Sequence, residues 1–147
     1  MLKRLLQTDN DITTFLLRIT LGLVILPHGL QKLFGMFGGY GFKATMQYFT
    51  EQSHIPALLA FMVIITESIG SLLVVLGFTT RIWAALIAII MAVASFMHSG
   101  NGFFMNWTGA QAGEGFEYHL LAIGIALVLI IKGGGRWSAD RQLSLKK

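Results

Sequence analysis

The chain has 147 residues, of which 54% are hydrophobic and only 12% are Asp, Glu, Lys or Arg. An ordinary soluble domain carries about 25% charged residues. A domain this small has too much surface to leave so few charges facing water, so the composition excludes a soluble monomer and indicates a membrane protein. The length has room for a single domain, residues 1–147.

Cysteine content and net charge exclude further classes of protein. The chain has no cysteine, which excludes disulfides, thiol redox chemistry and iron–sulfur ligation by its own side chains. The formal net charge of +4 is modest. Because the Lys and Arg residues lie between apolar blocks rather than in a stripe, we expect no nucleic-acid binding.

Four stretches are long and apolar enough to be membrane-spanning helices, which need about 20 mostly apolar residues. In chain order they are residues 13–34, 56–78, 82–98 and 116–131. The last two are near the short limit, so they stand nearly upright or use their polar and aromatic ends at the headgroups. The pattern predicts an all-α fold, an integral membrane four-helix bundle in the lipid bilayer.

The three connections between these stretches differ in composition. Residues 35–55 are rich in Gly and aromatic residues, and residues 79–81 make a tight turn. Residues 99–115 form a loop in which Gly and Asn supply turn conformations.

The cations are unevenly divided by this topology. Two, Lys32 and Lys43, lie on one side, and Arg18 lies within the first span. The other eight are Lys3, Arg4, Arg81, Lys132, Arg136, Arg141, Lys146 and Lys147. The positive-inside rule then predicts that both termini are cytoplasmic. A cleavable signal peptide is disfavoured, because the first apolar block is long, contains Arg18 and lacks a small-x-small cleavage site.

Two ionisable residues, Glu67 and Arg18, lie within predicted spans. Each shares a helix face with small residues, such as Gly70 beside Glu67 and Gly22 beside Arg18, which lets helices approach closely. Glu67 has two interpretations. It is a structural carboxylate, neutral or paired with Arg18, or it handles a proton or contacts a ligand.

All four histidines fall in the non-cytoplasmic half of this topology: His28, His54, His98 and His119. Acidic residues such as Glu117 and several aromatic residues are nearby in sequence, which predicts a polar pocket open to the outside. No HxxxH, HExxH or ExxH spacing is present, and Glu117 and His119 point about 200° apart on a helix, so we predict no metal site. Two interpretations stay open: interfacial histidines that meet headgroups, and a quinone pocket in which His or Glu exchanges protons and aromatic rings stack. Pro27 can kink the first helix and help to open such a pocket.

Several short motifs occur in a characteristic order along nearly the whole chain. They are Arg18-x3-Gly22-x6-Gly29-x2-Lys32 followed by Leu33-Phe34-Gly35, then Glu67-x2-Gly70-x6-Gly77-x3-Arg81, Asn101-Gly102-Phe103-Phe104, Gly115-Phe116-Glu117-Tyr118 and Gly135-Arg136-Trp137-Ser138-x-Asp140. In this order and spacing the chain resembles the DoxX family of small four-span membrane proteins. The resemblance implies a multi-pass protein of the bacterial cytoplasmic (inner) membrane.

The resemblance also implies a type of chemistry. The family is named for a subunit related to thiosulfate:quinone oxidoreduction, and many members carry oxidoreductase labels. Since this chain has no cysteine, a redox role needs a quinone, a bound metal or a redox partner protein. An oligomer is compatible with the sequence.

The leading hypothesis is therefore a quinone-linked redox component of the membrane. The predicted catalytic residues are Glu67 and His28, and the predicted ligand-binding residues are Arg18, His28, Lys32, Glu67 and Glu117. The alternative is a non-catalytic scaffold, or a protein that binds or transports a small solute in the same pocket. A transporter or channel is less favoured, because four short helices enclose little volume in a monomer.

Overall fold

The computed structural model describes residues 5–145, and every regular element within that range is helical. We number the α-helices α1 (Ile12–Phe34), α2 (Gly41–Gln47), α3 (Ala57–Leu76), α4 (Thr80–His98), α5 (Glu117–Lys132) and α6 (Ala139–Leu145). Four of the cations used to predict the orientation, Lys3, Arg4, Lys146 and Lys147, lie outside the described residues.

Three of the helices are long and apolar enough to cross a membrane: α1, α3, and α4 with the short 3-10 turn that extends it to Asn101. This confirms the predicted all-helical membrane protein. Helix α5 has 16 residues, which corresponds to a length of about 24 Å against a hydrocarbon core of about 30 Å. A fourth span at α5 stays a prediction.

Local sequence determines where α1 begins and ends. The Asp11 carboxylate caps the helix by accepting hydrogen bonds from the Thr13 amide (3.0 Å) and from the amide (3.3 Å) and hydroxyl (2.6 Å) of Thr14. Hydrogen bonds from the Thr14 side chain and the Thr13 amide lower the pKa of this carboxyl group. The helix ends at Gly35, whose φ of 72° is left-handed.

Helices α1 and α3 approach closely along the small-residue face predicted for α1. A Cβ atom added to Gly22 would lie 2.5 Å from the Val75 side chain. One added to Gly29 would overlap the backbone of Glu67 and Ser68. Gly29 therefore sets the distance between α1 and the segment of α3 that carries Glu67.

We expect the substitution Gly29→Ala to lower the free energy of unfolding by about 1–3 kcal/mol, since the added methyl group must push two helix backbones apart. Thermal unfolding in detergent measures the effect. Gly124→Ala is the matched control, because a Cβ atom at Gly124 meets nothing within 4 Å. Equal stability of the two variants would contradict the close approach.

One apolar cluster draws residues from α1, α3, α4 and α5. Its buried members are Leu21, Ile25, Val74, Ala84, Ile87, Met91, Ala122, Ala126 and Leu129. Helix α4 packs mainly on α5, and α1 packs mainly on α3. Many large apolar side chains instead point outward, such as Leu58 and Leu121, as expected of surfaces that contact lipid.

Candidate functional site

An ion pair joins α1 and α3 among apolar helices. The Lys32 Nζ atom lies 2.5 Å from Glu67 Oε2, with 6% of the Glu67 side chain and 25% of the Lys32 side chain exposed. Glu67 is ten residues from Ala57 at the start of α3, about 15 Å along the helix axis. A charge at such a depth is costly unless it is paired, so the Lys32 ammonium group offsets the cost of burying the Glu67 carboxylate.

The carboxylate sits in a π-helical turn, Thr66–Gly70, in the middle of α3. The Ser68 hydroxyl donates to the Ile64 carbonyl (2.6 Å), and the Ser71 hydroxyl donates to the Thr66 carbonyl (3.4 Å). Single π-turns within α-helices occur frequently at functional sites. This turn changes which side of α3 carries Glu67, and a regular helical spacing does not predict it.

Two aromatic side chains extend the polar region toward α5. The rings of His28 on α1 and Tyr118 on α5 are tilted, with their centroids 6.3 Å apart. His28 is exposed at the edge of the helices. The Tyr118 hydroxyl is buried, and within residues 5–145 it has no hydrogen-bond partner. Tyr118 was absent from the predicted site, although its position beside Glu117 and His119 at the start of a predicted span was a usable signal.

Two further histidines continue from Tyr118, whose ring lies edge-on to that of His119 with centroids 5.6 Å apart. His98 and His119 stack, with ring centroids 5.2 Å apart, and His119 is 8% exposed. The Nδ1 atom of His119 has no hydrogen-bond partner within the part of the chain that the structure describes. His54 lies exposed in the connection between α2 and α3.

Glu117 serves the loop before α5. Its Oε1 atom accepts hydrogen bonds from the Met105 amide (3.0 Å) and the Trp107 indole (3.2 Å). Glu114 also accepts a hydrogen bond from the loop, from the Asn106 amide at 2.8 Å. The predicted convergence of Glu117 with Lys32 and Glu67 is therefore replaced by a role in ordering residues 105–107.

Arg18 lies near the N-terminal end of α1, away from Lys32, and is 1% exposed. Its guanidinium group donates to the carbonyls of Val74 and Val75 at the end of α3, and to those of Arg136 (3.4 Å) and Trp137 (3.5 Å) before α6. The pairing of Arg18 with Glu67, one of the interpretations of that carboxylate, is therefore not found. Glu67 pairs with Lys32, which is 14 residues from Arg18, about 21 Å along α1.

A second buried carboxylate, that of Asp140, lies near Arg18 at the same end of the helices. Asp140 is 1% exposed and accepts hydrogen bonds from the amides of Thr79 (2.6 Å) and Thr80 (2.9 Å) at the start of α4. It also acts electrostatically on Arg18. Gly77 makes this packing possible, since its φ is 70° and a Cβ atom there would lie 2.6 Å from the Arg18 Nη1 atom. These contacts hold the end of α3, the start of α4 and the start of α6 against one another.

Two cavities lie beside the polar groups. One, of about 110 Å³, is lined by Thr20, Leu21, Val24, Tyr118, Leu121, Ala122 and Ile125. The other, of about 460 Å³, is an open groove lined by Leu5, Arg81, Ile82, Ala85, Leu86 and Ile130. Within residues 5–145, no three His, Asp or Glu side chains are grouped to hold a metal ion. Tyr118 is the residue that joins a cavity to the region around Glu67.

The comparison with protein families identifies the chain. A family model described as DoxX matches residues 13–100, which include all but the first residue of α1, the whole of α3 and α4, and the Lys32–Glu67 pair. The chain belongs to the DoxX family. This confirms the resemblance inferred from the motifs.

Two curated relatives of this DoxX protein support the assignment. It is 34% identical to a Bacillus subtilis (strain 168) protein named "Putative oxidoreductase CatD" over 119 residues, 81% of this chain and 79% of the relative. It is 29% identical to the Escherichia coli (strain K12) "Inner membrane protein YqjF" over 137 residues, 93% of this chain and 96% of the relative. No solved structure matches the chain.

Proposed function

We propose that this DoxX protein is a quinone-linked redox component of the bacterial cytoplasmic membrane. The quinone head binds beside the Lys32–Glu67 pair, against the rings of His28 and Tyr118. The observation that carries this proposal is the ion pair itself, which lies among apolar helices. Next to it are an exposed imidazole and a buried hydroxyl that has no hydrogen-bond partner among the described residues. Ionisable groups at membrane depth mark functional sites more often than other positions do.

The chemistry of these groups suits both forms of a quinone. The Lys32 ammonium group and the Tyr118 hydroxyl donate hydrogen bonds to quinone carbonyls, and the Glu67 carboxylate accepts one from a quinol hydroxyl. Imidazole is a common group for proton exchange near neutral pH, and His28 lies within two turns of Phe34 at the end of α1, which is the outer end under the proposed topology. Arg18 and Glu117 are omitted from the proposed site, because their polar atoms bind the backbone and the loop.

A partner protein completes the reaction. Reduction of a quinone to its quinol takes two electrons and two protons. When the quinol is oxidised, the Glu67 carboxylate and the His28 imidazole each accept one of these protons, and when the quinone is reduced each returns its proton. A redox partner protein takes up or supplies the two electrons, because this chain has no cysteine. The name of the Bacillus subtilis relative supports an oxidoreductase system.

We also propose the membrane arrangement: one domain that forms a four-helix transmembrane bundle, with α5 as the fourth span and both termini cytoplasmic. Support comes from the single apolar cluster, to which α1, α3, α4 and α5 all contribute. The name of the Escherichia coli relative supports the inner membrane, and the positive-inside rule supports the orientation.

Reporter fusions test this arrangement. A reporter that is active only in the cytoplasm should be active when fused after Arg81 or after Lys147, and inactive when fused after Gly109. A reporter that is active only outside should give the opposite pattern. An outside C-terminus together with an outside Gly109 would contradict the fourth span, whereas an outside C-terminus together with a cytoplasmic Gly109 would contradict the orientation.

Quinone binding tests the function. Protein purified in a mild detergent should retain about one quinone per chain in its extracted lipids, and quinone-depleted protein should bind added quinone. We expect His28→Ala to weaken binding by about tenfold, the equivalent of one lost hydrogen bond to a charged or polar group. Because His28 is exposed, this variant should keep its thermal stability.

The matched control for that experiment is Lys43→Ala, which alters an exposed residue of α2. Its quinone affinity should equal that of the unaltered protein. If the unaltered protein retains and binds no quinone, the proposed function is wrong.

A non-catalytic scaffold is the second candidate, and one observation favours it. The Lys32 and Glu67 charges satisfy each other, and the backbone of Glu67 is packed tightly against Gly29. In a scaffold, substitution of either charged residue lowers stability, whereas His28→Ala changes nothing that can be measured. The two candidates therefore differ in the quinone affinity of the His28 variant.

A further inference from the structure

We propose that the cavity of about 110 Å³ between α1 and α5 receives the first part of the isoprenoid tail of the quinone. The inference rests on the proposed function and adds a binding site for the tail to that for the head. It assigns a role to cavity-lining residues that are remote from the charged pair.

The cavity and the proposed head site share the same two helices. On α1, Val24 and Thr20 lie about one and two turns from His28. On α5, which runs in the opposite direction under the proposed topology, Ala122 and Ile125 lie about one and two turns from Tyr118. Both helices thus lead from a polar aromatic residue into the cavity, so a head that contacts His28 and Tyr118 has its tail along this path.

The lining suits a hydrocarbon chain. Apart from Thr20 and Tyr118, the lining side chains are apolar. An apolar cavity of about 150 Å³ in another protein stays free of water and binds benzene, which has six carbons. A cavity of 110 Å³ is therefore on the scale of one isoprene unit, which has five. The rest of a longer tail would extend into the bilayer.

The rim of the cavity provides that exit. Val24 is 43% exposed and Leu121 is 66% exposed, so the cavity opens sideways between α1 and α5 to the region where lipid chains lie. A quinone dissolved in the bilayer can enter by the same opening.

An isoprenoid tail fits these observations better than the acyl chain of a phospholipid. The chain of a phospholipid begins at a charged headgroup that stays at the membrane surface. The polar end of this cavity instead leads to Tyr118 and the Lys32–Glu67 pair, with Glu67 about 15 Å along α3 from its start. A quinone has an uncharged head, which can lie at that depth.

Two quinones with the same head test the inference, one without a tail and one with a tail of several isoprene units. Their affinities are measured for the full-length protein in detergent and for the variants Ala122→Leu and Val24→Phe, which fill the cavity from its buried and exposed sides. We expect each variant to weaken binding of the tailed quinone by about tenfold, because a filled cavity makes the tail overpack. Binding of the tailless quinone should stay the same.

Ala92→Leu is the matched control, since it makes the same chemical change at an exposed position of α4 and should alter neither affinity. His28→Ala should weaken binding of both quinones, because it acts on the head. If the tailless quinone binds and the two cavity variants leave the affinity for the tailed quinone unchanged, the tail lies elsewhere and the inference is wrong, although the proposed function stands. If neither quinone binds to the unaltered protein, the proposed function fails first.

Discussion

Lys32→Met should lower the free energy of unfolding by about 3–5 kcal/mol, the usual cost of removing one partner from a buried ion pair. The Glu67 side chain is 6% exposed, and its carboxylate lies 2.5 Å from the Lys32 ammonium group. Without Lys32 the carboxylate must remain as an isolated charge among apolar helices or bind a proton, and either change disfavours the folded state. Reversible unfolding in mixed micelles measures the loss.

A double substitution distinguishes an ion pair from a general loss of packing. Lys32→Met combined with Glu67→Gln removes both charges and keeps side chains of similar size. Because an apolar or neutral replacement of a whole buried pair is often neutral, we expect the double variant to recover most of the stability lost by Lys32→Met alone.

The control for this pair is Lys43→Met, on an exposed part of α2, which should change stability by less than about 0.5 kcal/mol. Additive effects of the two substitutions at Lys32 and Glu67 would show that the charges do not interact. The interpretation of the site as a charged pair would then be wrong.

The membrane character of the fold follows directly from composition and hydrophobic pattern. Long apolar stretches can satisfy their backbone hydrogen bonds in lipid only as helices or closed barrels, so the predicted all-helical membrane protein is confirmed. The close contact of α1 with α3 also follows from the sequence, since Gly22 and Gly29 recur on one helix face. Helix α5 is harder to assign, because 16 residues are near the lower limit for a span.

The candidate site was less predictable. The spacing of His28 and Lys32 placed both on one side of α1, and the structure joins Lys32 to Glu67. The partner of Glu67 depends on the π-turn that carries it and on the crossing of α1 and α3. Neither is a local property of the sequence. Arg18 illustrates the difference, because its partners come from residues 74–75 and 136–137, remote in the chain.

The contacts around Arg18 also explain why two motifs that are distant in sequence, one ending at Gly77 and Arg81 and the other at Ser138 and Asp140, occur in the same chain. Gly77 lies at the end of α3, whereas Ser138 and Asp140 come about 60 residues later. In the structure the Asp140 amide donates to the Gly77 carbonyl at 2.9 Å, and a Cβ atom at Gly77 would lie 2.5 Å from that of Ser138. The spacing of these motifs reflects one packed end of the molecule, separate from the proposed quinone site.

Asp140→Ala should have an effect on stability similar to that of Lys32→Met, about 3–5 kcal/mol for the loss of two hydrogen bonds to a charged group, without changing quinone affinity in the protein that remains folded. The substitution removes two hydrogen bonds to the amides at the start of α4, where Thr79 supplies no cap of its own. A carboxylate at a helix N-terminus is favoured by both the free amides and the helix dipole. The loss also leaves the buried Arg18 charge without the carboxylate that acts on it.

Two further variants separate these contributions to the stability provided by Asp140. Asp140→Asn keeps one oxygen acceptor for the α4 amides but removes the charge, so it should lose about half as much stability as Asp140→Ala. Asp9→Ala changes an exposed carboxylate and should alter stability by less than about 0.5 kcal/mol. If Asp140→Asn is as stable as the unaltered protein, the charge of Asp140 contributes nothing. The four carbonyls around Arg18 would then be sufficient to hold its guanidinium group inside the protein.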